Sequence, residues 1–402
     1  MRNKEFPILL FTVLLAFMGQ MILNPILAPL ARELGLAEWH IGAAISTAAV
    51  MFASFAGMWG RASLRLGTRR VLLISMFVGF IALASFAYVS HLGLSGYLST
   101  GVLVALILLT RGVIYGGAIA AVAPSSQTYI VTHTVTERER IKGVGALGAA
   151  QGIASILGAI IGGALAALGG IMLPLVVMPL MMGVGICVLV IFFSPASQTY
   201  RVDKPATIHY RDPRVFPFLS VGLLDYLVFA SVGTIFGFIL QDGLDVEPRY
   251  SAGLIALCMV VMGIAMIIGQ AVVAPVSKWK PTVLLRRGTL MLGLGVACLF
   301  LPSHMGVYLV ACAAIGLGMG LALTGYNAGP TKLVEHHEQG GLAGILNANG
   351  GIAYAIAPIG STALYSWNHV LPIVFGVAVC IISALWCYVH PVLQGKSSYE
   401  AL

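Results

Sequence analysis

The 402 residues are 59% apolar and only 9% charged, with 22 basic and 14 acidic side chains and a formal charge of +8. A soluble globular chain carries about a quarter charged residues, so these proportions exclude an ordinary soluble enzyme or binding module. Inside hydrocarbon every backbone polar group must be paired within the protein, which leaves helices and closed barrels. Barrel strands alternate apolar and polar residues, whereas the apolar runs here continue for about 20 residues, the length of a spanning helix. An all-α membrane protein is expected.

In chain order, the opening Met-Arg-Asn-Lys followed by Phe6–Ala16 has the outline of a secretory signal. The run continues through Gln20 to Leu30 with no small-residue cleavage site, and it reads as a first span. Apolar stretches bounded by charge, Pro or Gly then predict spans near 7–30, 39–62, 70–90, 98–130, 141–168, 172–194, 214–241, 250–276, 282–302, 305–330, 341–366 and 370–391. The one long polar interruption carries Lys204, Pro205, Arg211, Asp212, Pro213 and Arg214. Twelve spans in two groups of six follow. Residues 1–196 form an N-terminal six-helix bundle, 197–213 a cytoplasmic linker, and 214–402 a C-terminal six-helix bundle with a short cytoplasmic tail.

Basic residues fix the expected orientation. Arg32 and Arg249 alone fall on one side and Arg111 inside a span; the remaining Lys and Arg lie on the other. The positive-inside bias places both termini and the linker in the cytoplasm of a bacterial inner membrane. It also accounts for the +8 charge through membrane lipids as partners rather than nucleic acid. The cysteines (Cys187, Cys258, Cys298, Cys312, Cys380, Cys387) sit in apolar runs without metal-ligand spacing and read as small hydrophobes. No P-loop is present. No metal, cofactor or ATP hydrolysis is expected, and the chain is expected to act as a monomer.

The halves echo each other. Gly152-Ile-Ala-Ser-Ile-Leu-Gly-Ala159-Ile aligns with Gly351-Ile-Ala-Tyr-Ala-Ile-Ala-Pro358-Ile, in the fifth and eleventh spans, and the basic loop after the second span, Arg65 to Leu73, has a counterpart after the eighth, Lys278 to Leu285. Internal repeats of this kind mark secondary transporters, whose substrates bind near the midplane.

Three motifs carry a family resemblance. The loop Gly60-Arg-Ala-Ser-Leu-Arg65-Leu-Gly67-Thr-Arg69-Arg70 is similar to the loop signature of the major facilitator superfamily. Arg111 followed by Gly112, Gly116 and Gly117 resembles its arginine-plus-glycine motif in the fourth helix. Gln151-Gly152 with Gly158-Ala159-Ile-Ile-Gly162-Gly163 resembles the antiporter motif of the fifth. The resemblance covers essentially the whole chain and, within the superfamily, is to the twelve-span drug:proton antiporters. Leu64 stands where the loop signature has an acid, and Ala159 where the antiporter motif has proline, which appears instead at Pro358. The resemblance implies the major facilitator fold, two pseudo-symmetric six-helix bundles. It also assigns conformational roles to Gly60, Arg65, Gly67, Arg69, Arg70, Gly158, Gly162, Gly163 and Pro358, and ties Arg111 to proton coupling.

A charge at the bilayer centre is costly and marks function. Arg111 in the fourth span and Asp225 in the seventh are the two charges well inside spans, and Asp225 is the candidate proton-exchanging carboxyl. The competing reading of Asp225 is a simple pairing near the cytoplasmic end, about ten residues past Arg214. Arg111 keeps its proton, so its role would be electrostatic: holding a carboxylate, tuning a proton site or binding an anionic substrate. Candidate substrate contacts are Gln20 and Asn24, four apart on one helix face, with Gln127, Gln151, Asn327 and Asn347 as amides and Tyr115, Tyr226, Phe229, Phe236 and Tyr354 as aromatic surface. Gln270, Asn349 and Tyr326 belong to the same groups. For each of these residues the competing reading is helix packing. His336 and His337 read as solvated.

The expected function is proton-coupled efflux of amphipathic small molecules or drugs by alternating access. The alternative is a dedicated exporter or importer of one metabolite, such as a siderophore or organic acid, with Arg111 as its anchor. A membrane receptor or enzyme is the remote third class; the sequence lacks the clustered His, Asp or Glu such an enzyme needs.

Overall fold

The structure is a computed structural model, and it describes residues 5–134, 137–193, 208–335 and 338–394. Among the described residues, twelve helices are long and apolar enough to cross a membrane: α1 (Glu5–Glu33), α2 (Glu38–Leu66), α3 (Thr68–Leu94), α4 (Thr100–Ile130), α5 (Gly145–Gly169), α6 (Met172–Phe192), α7 (Phe216–Leu244), α8 (Tyr250–Ser277), α9 (Pro281–Phe300), α10 (Met305–Lys332), α11 (Gly341–Trp367) and α12 (Leu371–Val389). Among the described residues there is no β-strand. The expected linker lies largely outside the described residues, as do His336 and His337.

Local sequence explains the breaks. Gly67 ends α2 at φ +84°, a conformation that disfavours a side chain, and α3 starts at the next residue. Pro217 and Pro281 occupy the first turns of α7 and α9, where a missing N–H costs nothing. Asn24-Pro25 interrupts α1 with a single 3₁₀ turn. In α4, Leu108–Ile114 is wound as a π-helical turn, and in α8 Gly269–Val273 is another. Such turns hold one extra residue per turn and cluster at functional sites.

The chain divides into two compact units, Met1–Asp203 with Glu247–Leu257, and Lys204–Val246 with Cys258–Leu402. In the first, α1 lies against α5 and α6, and α3 against α6. Gly158 and Gly162 make the α1–α5 approach possible. A Cβ on Gly158 would stand 2.5 Å from that of Met21, and one on Gly162 would strike the Ile22 carbonyl. Gly163 faces the first turns of α8, where a Cβ would strike Ala256. Small residues drive such contacts because lipid offers no hydrophobic incentive for helices to meet.

In the second unit α10 packs along α9, and α7 lies against α11 and α12. Its core gathers Val215, Phe218, Leu219, Leu285, Tyr326, Leu346 and Cys387. At the entrance to α7, Arg214 binds Asp212 at 2.8 Å and Glu338 at 3.0 Å. The guanidinium beside Asp212 holds that carboxyl below the usual carboxylate range, and the two carboxylates push Arg214 further up.

Candidate functional site

Among the described residues, each unit encloses one charged residue inside a spanning helix. Arg111 sits within the π-helical turn of α4 with 7% of its surface exposed. Its guanidinium lies over the ring of Tyr115, 4.6 Å from the centroid, four residues on along the same helix. Its Nε and Nη1, and the Tyr115 hydroxyl, are buried without hydrogen-bond partners among the described residues. Gly112, directly after it, lets α2 come close: a Cβ there would be 3.1 Å from Thr47. Arginine has five N–H donors and no acceptor. The site is thus a fixed positive charge with donors unspent.

Asp225 is enclosed in α7, 2% exposed. Thr289 of α9 donates to its Oδ2 at 2.6 Å, and Ser383 of α12 to its Oδ1 at 3.0 Å. The cation eleven residues back, Arg214, is taken up by Asp212 and Glu338 instead. Hydroxyl partners have a chemical consequence. A hydroxyl can rotate from donor to acceptor, so this pair serves a carboxylate and a carboxylic acid alike, which a lysine or arginine partner would not.

Next to Asp225, Tyr226 begins an aromatic wall. Its ring meets Tyr326 edge-on at 5.9 Å and Tyr354 at 6.4 Å. Gly222 makes room for the Tyr326 ring, which a Cβ there would strike. Gly222, Asp225, Tyr226, Met319, Ala322, Leu323 and Tyr326 line one small cavity between α7 and α10. Tyr326 is locked by donating to the Leu346 carbonyl at 3.0 Å and accepting from Asn349 Nδ2 at 3.1 Å. Asn349 also donates to the Leu219 carbonyl at 2.9 Å and accepts from the Tyr210 hydroxyl at 2.7 Å.

The remaining predicted contacts are scattered. Tyr226, Phe229 and Tyr354 are partly or well exposed in the second unit, with Asn327 and Asn347 also exposed there. The Asn347 amide donates to its own helix, at the Ala343 carbonyl. Phe236 is enclosed and packs edge-on against Tyr308 at 6.0 Å, and Tyr115 is enclosed beneath Arg111. In the first unit Gln20 and Gln151 are half-buried and Gln127 is exposed, while the Asn24 amide turns to the Met21 sulfur at the α1 break. Along the α2–α3 loop, Arg65 and Arg70 are exposed and Gly60 faces Pro124. Arg69 reaches the Val190 carbonyl at the end of α6, 2.8 Å away. Leu64, at the position of the absent acid, is 60% exposed. Pro358 lies inside α11, and Thr362 donates to its carbonyl at 2.7 Å.

The sequence reading missed Thr289 and Ser383 as partners of Asp225, and it placed no special weight on Asn349. The available signal was weak: a hydroxyl or amide inside an apolar span that needs a partner.

Known proteins agree with this architecture. The model of the Major Facilitator Superfamily matches residues 9–358. The class G tetracycline resistance protein of Vibrio anguillarum is 30% identical over 397 residues, covering 90% of this chain and 91% of the relative. The class B protein of Escherichia coli is 27% identical over 401 residues, covering 96% and 94%. Among solved structures, a bacterial homologue of the human lysosomal transporter Spinster, inward-facing and occupied, superposes with a TM-score of 0.75 at 14% identity, covering 99% of this chain and 97% of that one. The human organic anion transporter MFSD10 (TETRAN) gives 0.64 at 16% identity, covering 95% and 98%. With its twelve spans and its match along most of its length, the chain belongs to the major facilitator superfamily of membrane transporters.

Proposed function

We propose that this transporter couples proton movement to the efflux of amphipathic small molecules, with Asp225 as the proton-exchanging group and Arg111 as a fixed counter-charge. The observation that carries the reading is the Asp225 site itself. A carboxyl group enclosed in a spanning helix meets two hydroxyls and, among the described residues, no cation, an environment that accommodates both of its protonation states. An unneutralised buried charge is costly, so the unspent donors of Arg111 call for a negative group at some stage of the cycle. The wall of Tyr226, Tyr326 and Tyr354 offers flat apolar faces with hydroxyl edges, suited to amphipathic compounds. Relatives named for tetracycline resistance make tetracycline the first compound to test.

The same reading takes both termini as cytoplasmic, residues 1–196 and 214–402 as the two bundles, and a monomer as the working unit in a bacterial inner membrane. The glycines of α5 with Pro358, and the basic loop with Gly60, Gly67, Arg65, Arg69 and Arg70, act as conformational elements in it. One observation favours a second reading. The unpartnered nitrogens of Arg111 would suit the carboxylate of a single anionic metabolite.

The test is transport in proteoliposomes under an imposed proton gradient. Wild-type protein is expected to accumulate several unrelated amphipathic cations or tetracycline, dissipating the gradient as it does so. Asp225→Asn should bind the compound yet lose gradient-driven transport. Undiminished driven transport in that variant would remove Asp225 from the coupling role. Movement of one organic anion alone would favour the second reading.

A further inference from the structure

The corner formed by the start of α9 and the end of α12 has a composition that transport does not require. Lys278, Lys280 and Arg287 are exposed, and Arg286 is half-buried. Two of these cations are held over aromatic rings. Arg287 lies over Trp279, 4.0 Å from the centroid, and Arg286 over Tyr388, 4.5 Å away. Tyr388 itself is 47% exposed. Among the described residues the Nε of Arg286 is buried with no hydrogen-bond partner, and so is the Nδ1 of His390 at the end of α12. Among the described residues, none of the four cations makes an ion pair. Four positive charges therefore share one helix end with no acid among them, and their guanidinium planes are fixed by rings.

We propose that this corner binds the headgroup phosphate of an anionic phospholipid. Arginine presents a planar fork that matches a phosphate, and stacking on Tyr388 and Trp279 fixes its direction at little further entropic cost. Trp and Tyr are the residues that settle at headgroup depth, so the rings mark the level at which the phosphate lies. The acyl chains would follow the apolar face below, where Leu290 and Leu294 of α9 and Ile381 and Leu385 of α12 are exposed. A parallel arrangement occurs in the first unit. There Arg69 reaches the end of α6, its Nε is also buried without a partner among the described residues, and exposed Arg65 and Arg70 flank it. The two units thus repeat one device: an arginine at the start of the third helix aimed at the end of the sixth. The proposal is independent of proton coupling; the orientation proposed above decides only which leaflet supplies the lipid.

The test is native mass spectrometry of the full-length chain in neutral detergent, with phosphatidylglycerol or phosphatidylcholine of matched acyl chains. Each cation near a lipid surface is worth about a fivefold change in binding. Wild-type protein is therefore expected to retain phosphatidylglycerol at least about fivefold better than phosphatidylcholine. Arg286→Gln should lower that retention about fivefold, whereas Arg211→Gln, an exposed cation elsewhere in the same unit, should leave it unchanged. Tyr388→Leu and Lys280→Gln carry the test if Arg286→Gln does not yield folded protein, and both should reduce retention. Equal retention of the two lipids would overturn the proposal, as would equal losses in Arg286→Gln and Arg211→Gln. Displacement of the lipid by an excess of inorganic phosphate would reassign the corner to free anions and overturn the lipid assignment.

Discussion

Replacing Thr289 with valine removes one hydroxyl from the Asp225 site and keeps the side chain's branching. The bond lost is the shorter of the two, 2.6 Å against 3.0 Å for Ser383, and both groups are fully enclosed. Its value depends on what Asp225 carries. A hydrogen bond to a charged group contributes about 1.5–3 kcal/mol, and one between neutral groups about 0.5–1.5 kcal/mol. Thr289→Val should therefore destabilise the protein by about 1–3 kcal/mol, and Ser383→Ala by less. The assay is reversible unfolding in mixed micelles, run as a double-mutant cycle with Asp225→Asn. If the hydroxyl acts through the carboxyl, a coupling of at least about 1 kcal/mol is expected, roughly a fivefold change in the folding equilibrium. Strict additivity of Thr289→Val and Asp225→Asn would refute the reasoning, since it would mean that the hydroxyl and the carboxyl do not support each other.

Further outcomes follow from other contacts. Gly162→Ala, and more so Gly162→Val, should separate α1 from α5 and cost about 1–3 kcal/mol through overpacking, with transport falling further than stability because the seam is shared by a conformational motif; unfolding and uptake measured on the same sample check this. Tyr226→Leu should weaken an aromatic substrate about 2- to 12-fold, the worth of one ring–ring contact, while Tyr226→Phe should not; equilibrium binding in detergent decides it. For Asp212, the folded-state pKa is lowered by Arg214. Its stabilising contribution is therefore fully present above the ordinary carboxylate pKa and is lost as pH falls through the lowered folded value. Arg214→Gln should move that acid-side loss to higher pH, and Asp212→Asn should remove it, as read by unfolding between about pH 1 and 5.

The spans were legible because lipid leaves a strong imprint on composition. The expected 98–130, 214–241 and 305–330 correspond to Thr100–Ile130, Phe216–Leu244 and Met305–Lys332. What composition does not encode is the direction a residue faces. A helix that is apolar all round has no amphipathic stripe from which to read its buried side. Nothing local therefore shows that Asp225 turns toward α9 and α12, to partners 64 and 158 residues away. For the same reason Phe236 was grouped with the aromatic surface, although it lies inside the bundle against Tyr308. Asn347 and Asn349, two residues apart, illustrate the limit: one amide is exposed and satisfied by its own helix, and the other is the centre of a three-partner network. The buried acid and base could be picked out because ionisable residues are rare in spans, whereas their hydroxyl and aromatic neighbours are common there.

The π-helical turn around Arg111 gives α4 a freedom that a continuous α-helix lacks. An extra residue held in one wide turn need not stay where it is. If the bulge moves one position along the chain, one backbone hydrogen bond is exchanged for its neighbour, and the residue it passes swings by about 100° around the axis. The ends of the helix keep their places. Arg111 lies inside the seven residues over which such a dislocation would travel. Its guanidinium can thus be re-aimed by a ripple in the backbone, at the cost of leaving the Tyr115 ring and without moving α4 as a body. Deleting a single residue between Leu108 and Ile114 would anneal the dislocation and freeze the arginine on one bearing.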